Sequence, residues 1–309
     1  MGRPTRFNQV QADAFLGAST DNSPFGKVWY VDGTNGSDGN AGDAPDEAYA
    51  TIGAAITAAV ATRGDSVIIY PGTYTITSAL SPKAQMTFRA AVINSQFPSV
   101  SIRGNIATLL NVDVDGTRWI GIEFRASGTT ARRLVDISNT TAVNGVTFED
   151  CVFHGADTET GSNLDGVDGM RVTGSAVVGL LVRRCVFRDL GGTQLGVGVN
   201  GIAYAKIEHN LFAIDTPSGV GIRMSNTAAY ATGKGYIIRN NEFLGGSITS
   251  TQFVGIVLAG TEGVTGAGVI RTNFFGFCAA AAITQNVVSD GVIENYRGAD
   301  GGGAIIDSE

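Results

Sequence analysis

The chain has 309 residues, of which 43% are hydrophobic and 16% charged, so it can bury a large core and is not a disordered polymer. Its formal net charge is −7 and its Lys and Arg residues are scattered, which excludes the basic face that a nucleic-acid partner requires. Glycine is frequent, with 43 residues, and proline is rare, with 7, which is typical of many tight turns between short strands.

Residues 1–27 form a polar segment without helical or strand periodicity. They lack the apolar core of a signal peptide, and the longest apolar stretch, Phe274 to Ile283, is far shorter than a membrane span. We therefore expect synthesis in the cytoplasm and no membrane partner. The segment is predicted to be an arm that becomes ordered when it docks onto another protein, and the alternative is a frayed terminus.

Residues 28–76 predict a strand, a loop, a helix and a second strand. The loop from Asp32 to Asp43 has Asp, Asn and Gly at short spacing, which could hold calcium, but it lacks the terminal Glu of an EF-hand. We favour a turn-rich loop without metal. The helix is expected to end at Gly64, and its buried face is predicted to contain Ile52, Ala55, Ile56, Ala59 and Val60.

The same region carries a set of short motifs: Tyr30-Val-Asp, Gly36-Ser-Asp, Thr51-Ile, Ala55-Ile, Gly64-Asp and Pro71-Gly-Thr-Tyr74. Together they resemble the N-terminal capping segment of the pectin-lyase-like β-helix superfamily. The resemblance extends from about residue 28 onward and implies an all-β, right-handed parallel β-helix with a short N-terminal helix that plugs the open end. It therefore implies one domain over residues 28–309, with a capping segment (28–76) and coils (77–309).

A phenylalanine recurs through the rest of the chain, at positions 124, 153, 187, 212, 243 and 275, in steps of 29, 34, 25, 31 and 32 residues. A period in this range is typical of a solenoid. Each copy alternates apolar and polar residues, and a second apolar pattern lies between the copies, so each coil is expected to hold at least two short strands and to have room for a third.

Two other columns follow from aligning the copies on this phenylalanine. At the position four residues before the phenylalanine, we expect opposite charges to stack in successive coils. The residues are Glu149, Arg183, Glu208, Arg239 and Arg271, with Glu294 in the last coil. The alternative is that they are unrelated surface charges. Two residues before the phenylalanine we expect inward side chains, with asparagines that stack and bind successive backbones and cysteines that are buried free thiols: Cys151, Cys185, Asn210, Asn241 and Asn273.

The catalytic motifs implied by a likeness to pectate lyases or polygalacturonases do not occur here. The two histidines, His154 and His209, have no catalytic-looking context, and His209 is interpreted as structural. Paired carboxylates can cleave a glycosidic bond, and the long insertion at residues 156–168 contains four carboxylates. We favour an acidic, solvated loop, and we predict no cofactor or metal; the weak catalytic candidates are Asp157, Glu159, Asp165 and Asp168.

Two functions remain open. The favoured hypothesis is a non-enzymatic structural virion protein of a tailed phage, a capsid decoration, head-fibre or small tailspike-like component at the virion surface. Residues 298–309 offer little to cover the last coil, so we expect an oligomer, and the resemblance to phage proteins of this fold implies a homotrimer. Its partners would be other virion proteins, bound through the arm, with surface glycans as a further candidate. The alternative is a polysaccharide lyase or glycoside hydrolase, a phage depolymerase.

Overall fold

The protein is described here by a computed structural model in which every strand pair is parallel. It describes residues 26–94, 97–127, 133–137, 141–155, 167–172, 177–190, 193–197, 202–214, 219–226, 235–245, 254–260, 268–276, 283–285, 291–293 and 295–297.

In chain order these residues form a 3-10 turn (Pro45–Glu47), the helix α1 (Ile52–Ala58) and the strands β1 (Val28–Val31), β2 (Ser66–Ile69), β3 (Gly72–Thr75), β4 (Thr87–Ala90), β5 (Val100–Gly104), β6 (Thr108–Val112), β7 (Arg118–Ile120), β8 (Ile122–Ala126), β9 (Arg133–Ile137), β10 (Val143–Asn144), β11 (Thr147–Glu149), β12 (Val152–His154), β13 (Asp168–Val172), β14 (Val177–Val178), β15 (Leu181–Arg183), β16 (Val186–Arg188), β17 (Thr193–Val197), β18 (Ile202–Ala203), β19 (Lys206–Glu208), β20 (Leu211–Ile214), β21 (Val220–Asn226), β22 (Ile237–Arg239), β23 (Glu242–Gly245), β24 (Val254–Gly260), β25 (Val269–Arg271), β26 (Phe274–Gly276), β27 (Ile283–Gln285), β28 (Gly291–Ile293) and β29 (Tyr296–Arg297).

Three long sheets run along the molecule, and from β4 to β27 each coil contributes one strand to each sheet in turn. The first sheet has the order β1-β2-β4-β7-β11-β15-β19-β22-β25-β28. The second has the order β3-β5-β8-β12-β16-β20-β23-β26-β29, and the third β6-β9-β13-β17-β21-β24-β27. A short ribbon, β10-β14-β18, lies between the third sheet and the first. The fold is therefore the predicted right-handed parallel β-helix.

The recurring phenylalanines form one continuous stack inside the prism. The Phe124 and Phe153 ring centroids lie 5.6 Å apart, and the later rings follow at 4.5, 4.7, 4.8 and 4.8 Å. Successive ring planes differ by 14° or less, because each ring lies on its counterpart in the preceding coil. All six rings are fully buried, which confirms the period read from the sequence.

The predicted asparagine ladder is also confirmed. Asn241 Oδ1 accepts hydrogen bonds from Asn210 N and Asn210 Nδ2, at 3.0 and 2.9 Å, and Asn273 Oδ1 does the same for Asn241. Asn295 continues the ladder by one coil, which the alignment on phenylalanine missed because no phenylalanine follows it. Each amide thus satisfies backbone groups that the turn would otherwise leave buried and unpaired.

In the turn that carries this column, the residue immediately before the column position adopts a left-handed backbone conformation. Asp150, Arg184, His209, Asn240 and Thr272 occupy that position, with φ between 52° and 58°. Asp and Asn tolerate this conformation because their short side chains can form hydrogen bonds with the nearby backbone. The Arg184 side chain forms an ion pair of 2.8 Å with Asp150. The sharp bend between the first and second sheets follows from this repeated residue.

The charged column on the first sheet forms as predicted in two places. Arg183 lies 2.7 Å from Glu149, and Arg239 lies 2.8 Å from Glu208. Arg239 and Arg271 are neighbours in register, and Arg239 binds the glutamate of the preceding coil. Glu294 lies outside the described residues.

The capping helix is shorter than its sequence pattern predicts. It ends at Ala58, and Val60 is 49% exposed, so the expectation that Val60 is buried and that Gly64 ends the helix was wrong. The chain leaves the helix early because Asp65 accepts a hydrogen bond from Val60 N at 2.9 Å. The Lys83 ammonium group donates to the carbonyl groups of Thr57, in the last turn, and Ala59, just after the helix, which a helix end leaves free.

Asp65 joins the parts of the cap. Its fully buried carboxylate accepts hydrogen bonds from Lys27 N, Val60 N and the Trp29 indole, and it pairs with Arg63 at 2.6 Å. Burial alone would raise its pKa, but Arg63 and these donors lower it to about 2.

None of the described helices has the length and hydrophobicity that crossing a bilayer requires. The predicted arm, apart from residues 26 and 27, and the C-terminal residues 298–309 lie outside the described residues.

Replacing Asp65 with Asn should lower the free energy of unfolding of the cap by about 1.5–3 kcal/mol at pH 7, the scale of lost charge-assisted hydrogen bonds. Since the folded pKa is depressed, this stabilisation exists above the ordinary value of 3.8 and is lost as pH falls toward 2. Thermal unfolding from pH 2 to 7 measures it, with exposed Asp46→Asn as the control. Equal melting of Asp65→Asn and wild type at pH 7 would contradict the assignment.

Replacing Asn241 with Ala should leave the buried Asn210 amide without its acceptor and cost about 1–3 kcal/mol. Denaturant unfolding is the measurement. Asn111→Ala, at a half-buried position on the third sheet, is the matched control and should change stability by less than about 0.5 kcal/mol. Similar losses in both variants would show that the ladder adds no specific stability.

Candidate functional site

A row of positive side chains runs across the coils on the outer face of the second sheet. Phe124 and Phe153 point inward, so the residues that follow them point outward. Strand register places Arg103 beside Arg125, Arg125 beside His154, and His154 beside Arg188. We call Arg103, Arg125, His154 and Arg188 the cationic row.

A buried glutamate supports this row from the adjacent position. Glu123 Oε2 accepts a hydrogen bond of 2.5 Å from the Ser101 hydroxyl group, and its Oε1 lies 3.0 Å from His154 Nδ1. Arg103 Nε donates to Ser101 Oγ at 3.0 Å, and Arg188 Nη2 lies 3.6 Å from Glu123 Oε1. Burial alone would raise the pKa of Glu123, but His154 and Ser101 lower it to about 2, so this carboxylate stays ionised.

His154 lies between two carboxylates. Its Nδ1 faces Glu123, and its Nε2 lies 2.9 Å from Asp189 Oδ2. Burial opposes the charged ring, but the hydrogen bonds with Asp189 and Glu123 outweigh it and raise the pKa of His154. Because both ring nitrogens face acceptors, the geometry fits an imidazolium ion.

The arginines of the row repel one another. Burial, together with the charges of Arg103 and Arg188, lowers the pKa of Arg125. The cluster thus combines four cationic groups with two carboxylates in a chain whose net charge is −7. The side chain of Arg188 is 35% exposed and that of Asp189 47%, so an anion from solvent can reach the row. Guanidinium groups suit carboxylates, which they bind through two parallel hydrogen bonds.

The predicted acidic loop is not part of this cluster. Asp157, Glu159 and Asp165 lie outside the described residues. Asp168 opens β13 on the third sheet, where its Oδ1 accepts a hydrogen bond of 2.8 Å from Thr193 N and its Oδ2 lies 3.1 Å from Arg171 Nη1. The Asp168 carboxylate therefore joins two neighbouring coils. The interpretation of residues 156–168 as an acidic, solvated loop, with weak catalytic candidates as the alternative, stays a prediction.

The Asp32–Asp43 loop uses its carboxylates within the chain. Asp32 accepts hydrogen bonds from Thr34 N and Asn35 N, Asp38 accepts from Thr51, and Asp43 lies 3.2 Å from Lys27 Nζ. In the described part of the chain no group of three His, Cys, Asp or Glu side chains is arranged to hold a metal ion.

Cys151 and Cys185 are buried free thiols, as predicted, and burial raises the pKa of Cys185 well above its ordinary value. This excludes Cys185 as an ionised nucleophile at neutral pH.

The sequence analysis missed the cationic row. It set His154 aside, although the structure places this histidine at the centre of the charged cluster. The signal was present: the residue after the recurring phenylalanine is Arg125, His154 and Arg188 in three successive coils. His209, by contrast, is exposed at a turn, 3.4 Å from Asn240 Nδ2.

Replacing His154 with Asn should lower the melting temperature by about 2–4 °C at pH 6, because Glu123 and Asp189 lose their shared cation. The raised pKa of His154 means that this stabilisation is complete below the ordinary value of 6.5 and is lost as pH rises through the folded value. Glu123 contributes above 4.5 and loses its contribution as pH falls toward 2. Melting curves from pH 5 to 9 test this, with His209→Asn as the control. A difference from wild type that grows with pH would refute the ion pairs.

No protein-family model matches the chain, and no curated protein matches it. Solved structures do. A pectin methylesterase from Aspergillus niger superposes with a TM-score of 0.56 at 15% identity, over 92% of this chain and 88% of the esterase. A family PL6 alginate lyase gives 0.53 at 14% identity, over 89% of this chain and 39% of the lyase. A family 28 exopolygalacturonase from Yersinia enterocolitica gives 0.52 at 11% identity, over 92% of this chain and 68% of that protein. At these identities the likeness shows the fold alone, a right-handed parallel β-helix.

Proposed function

We propose that this protein acts on an acidic polysaccharide, which it binds along the outer face of the second sheet. The observation that carries the proposal is the cationic row, which is backed by the ionised Glu123 and reachable from solvent at Arg188. This is the alternative of the sequence analysis, an enzyme that cleaves polysaccharides.

The geometry of the row suits a repeating polymer. Neighbouring coils of a β-helix lie about 4.8 Å apart, so the row offers one positive group per coil along the helix axis. A chain of acidic sugars presents its carboxylates at regular intervals and can meet several of these groups at once. The similar solved structures include a pectin methylesterase, an alginate lyase and an exopolygalacturonase, which supports a polysaccharide as the ligand.

Elimination fits this cluster better than hydrolysis. A glycoside hydrolase needs a carboxyl group that is protonated near neutral pH, whereas the pKa of Glu123 is about 2. In elimination a base, here hydroxide from solvent, takes the proton on the carbon beside the uronate carboxylate. A carbon–carbon double bond then forms, the glycosidic C–O bond breaks, and the leaving oxygen takes a proton from water. Guanidinium groups can stabilise the negative charge that builds up on the uronate during this step. We therefore propose a polysaccharide lyase, with Arg125 and Arg188 as the groups that bind the uronate carboxylate.

A structural role at a phage virion surface stays a prediction. The features that favoured it, most of the N-terminal arm and residues 298–309, lie outside the described residues. Nothing in the cationic row requires a virion, a trimer or a partner protein.

The test uses purified full-length protein with polygalacturonate, alginate and neutral dextran. Binding and the ultraviolet absorbance of unsaturated uronates are the measurements. We expect binding and cleavage of an acidic polymer only, and a loss of at least about tenfold in Arg125→Gln or Arg188→Gln, since each removes a charge-assisted pair. Arg271→Gln, an exposed arginine of the first sheet, is the matched control and should behave like wild type.

Three outcomes would contradict the proposal. Cleavage of neutral dextran would show that the activity does not require acidic sugars. Equal activity in Arg188→Gln and wild type would show that the cationic row is not the substrate-binding site. Loss of cleavage in Asp165→Asn with Asp168→Asn, while both arginine variants remain active, would place the chemistry on the acidic loop.

A further inference from the structure

We infer that Asp189 is a built-in competitor of the ligand: its carboxylate occupies the position on the cationic row where the carboxylate of an acidic sugar binds. This inference rests on the proposed function and deepens it, because it identifies the contact that a substrate must displace. It also restricts the substrate class to sugars with a free carboxylate.

The two carboxylates that face His154 differ in their surroundings. Glu123 is 8% exposed at its side chain, and the Ser101 hydroxyl group binds it from the other side. Asp189 is 47% exposed at its side chain and meets His154 from the solvent side, at 2.9 Å from Nε2. Glu123 is thus part of the wall of the site, whereas Asp189 lies where an incoming anion would arrive.

The backbone around Asp189 is held in place by the preceding coil. Asp189 has a φ of 54°, in the left-handed region that Asp and Asn tolerate. Gly155 N donates to Arg188 O at 3.1 Å, and a Cβ at Gly155 would lie 1.6 Å from Asp189 O. The turn is therefore packed closely against the preceding coil. On this inference, a ligand displaces the Asp189 carboxylate by rotation about its side-chain bonds and leaves the backbone where it is.

The charges around this position are those that a carboxylate ligand needs. Arg125, on β8, interacts electrostatically with Asp189 and also with Arg103, Glu123 and Arg188. When Asp189 turns away, His154 Nε2 and the two guanidinium groups next to it lose the anion on their solvent side, and Glu123 still faces His154 and Arg188. A uronate carboxylate replaces one negative charge with another, and a neutral or esterified sugar does not.

The variant that tests this contact is Asp189→Asn. Asparagine tolerates the same backbone conformation and still accepts a hydrogen bond from His154, but it carries no charge. Glu242→Gln is the matched control: it removes one charge from an exposed position on the same sheet, at β23. The probes are galacturonate as a monomer and polygalacturonate as a polymer, and binding is measured by titration at constant salt.

We expect Asp189→Asn to bind both probes roughly fivefold more tightly than wild type, the scale of a partly exposed ion pair, and Glu242→Gln to change binding less than about twofold. The imidazole signal of His154, followed by NMR against pH, gives a second readout. Its pKa should fall in free Asp189→Asn and rise again when galacturonate binds. In wild type the same addition should shift it little, because one carboxylate replaces another.

Weaker or unchanged binding in Asp189→Asn would overturn the inference and make Asp189 a residue that orients His154. Equal tightening in Glu242→Gln would reduce the effect to net charge and would also overturn it. Monomer binding that tightens as expected while polygalacturonate and alginate bind to neither form would support the competitor and reject the proposed function. Equal binding of the polymer by wild type and Asp189→Asn would support the proposed function and reject Asp189 as a competitor.

Discussion

The structure depends on one constraint, the in-register stacking of parallel coils. Each residue of a strand lies beside its counterpart in the next coil. A residue type that recurs at the same position of the repeat therefore stacks on its own copy about 4.8 Å away. Inside the prism this constraint turns a recurring phenylalanine into a stack of parallel rings. It also turns a recurring asparagine into a ladder that satisfies the backbone of every turn it passes. The core is thus continuous along the molecule rather than assembled from separate layers.

The same constraint acts differently on charged groups outside the prism. On the first sheet, opposite charges meet and neutralise one another at two steps, Glu149 with Arg183 and Glu208 with Arg239, before the like pair of Arg239 and Arg271. On the second sheet, like charges follow one another at Arg103, Arg125, His154 and Arg188. Stacking like charges costs free energy, and Glu123 and Asp189 offset only part of it. The row keeps an excess of positive charge, and this excess is the reason we propose an acidic ligand for it.

Much of the fold could be predicted from the sequence, because a solenoid repeats its local pattern. The spacing of phenylalanines predicted the coils, and the residue two positions earlier predicted the asparagine ladder and the buried cysteines. The prediction failed where a long-range contact outweighed the local pattern. Asp65 accepts a hydrogen bond from Val60 N. This contact ends the capping helix early and exposes Val60, which the helical pattern placed in the core.

The candidate site could be predicted far less well, and the reason is physical. The sequence by itself determined that Arg125, His154 and Arg188 occupy one position of the repeat, and hence that they share a face. Only the tertiary structure decided that Glu123 is buried beneath them, that Ser101 and His154 keep it ionised, and that Asp189 reaches His154 from the next turn. These contacts join residues 22 and 31 positions apart in the chain, and they set the ionisation of each group. Charge and burial at the site are properties of neighbouring coils, which no single segment of sequence contains.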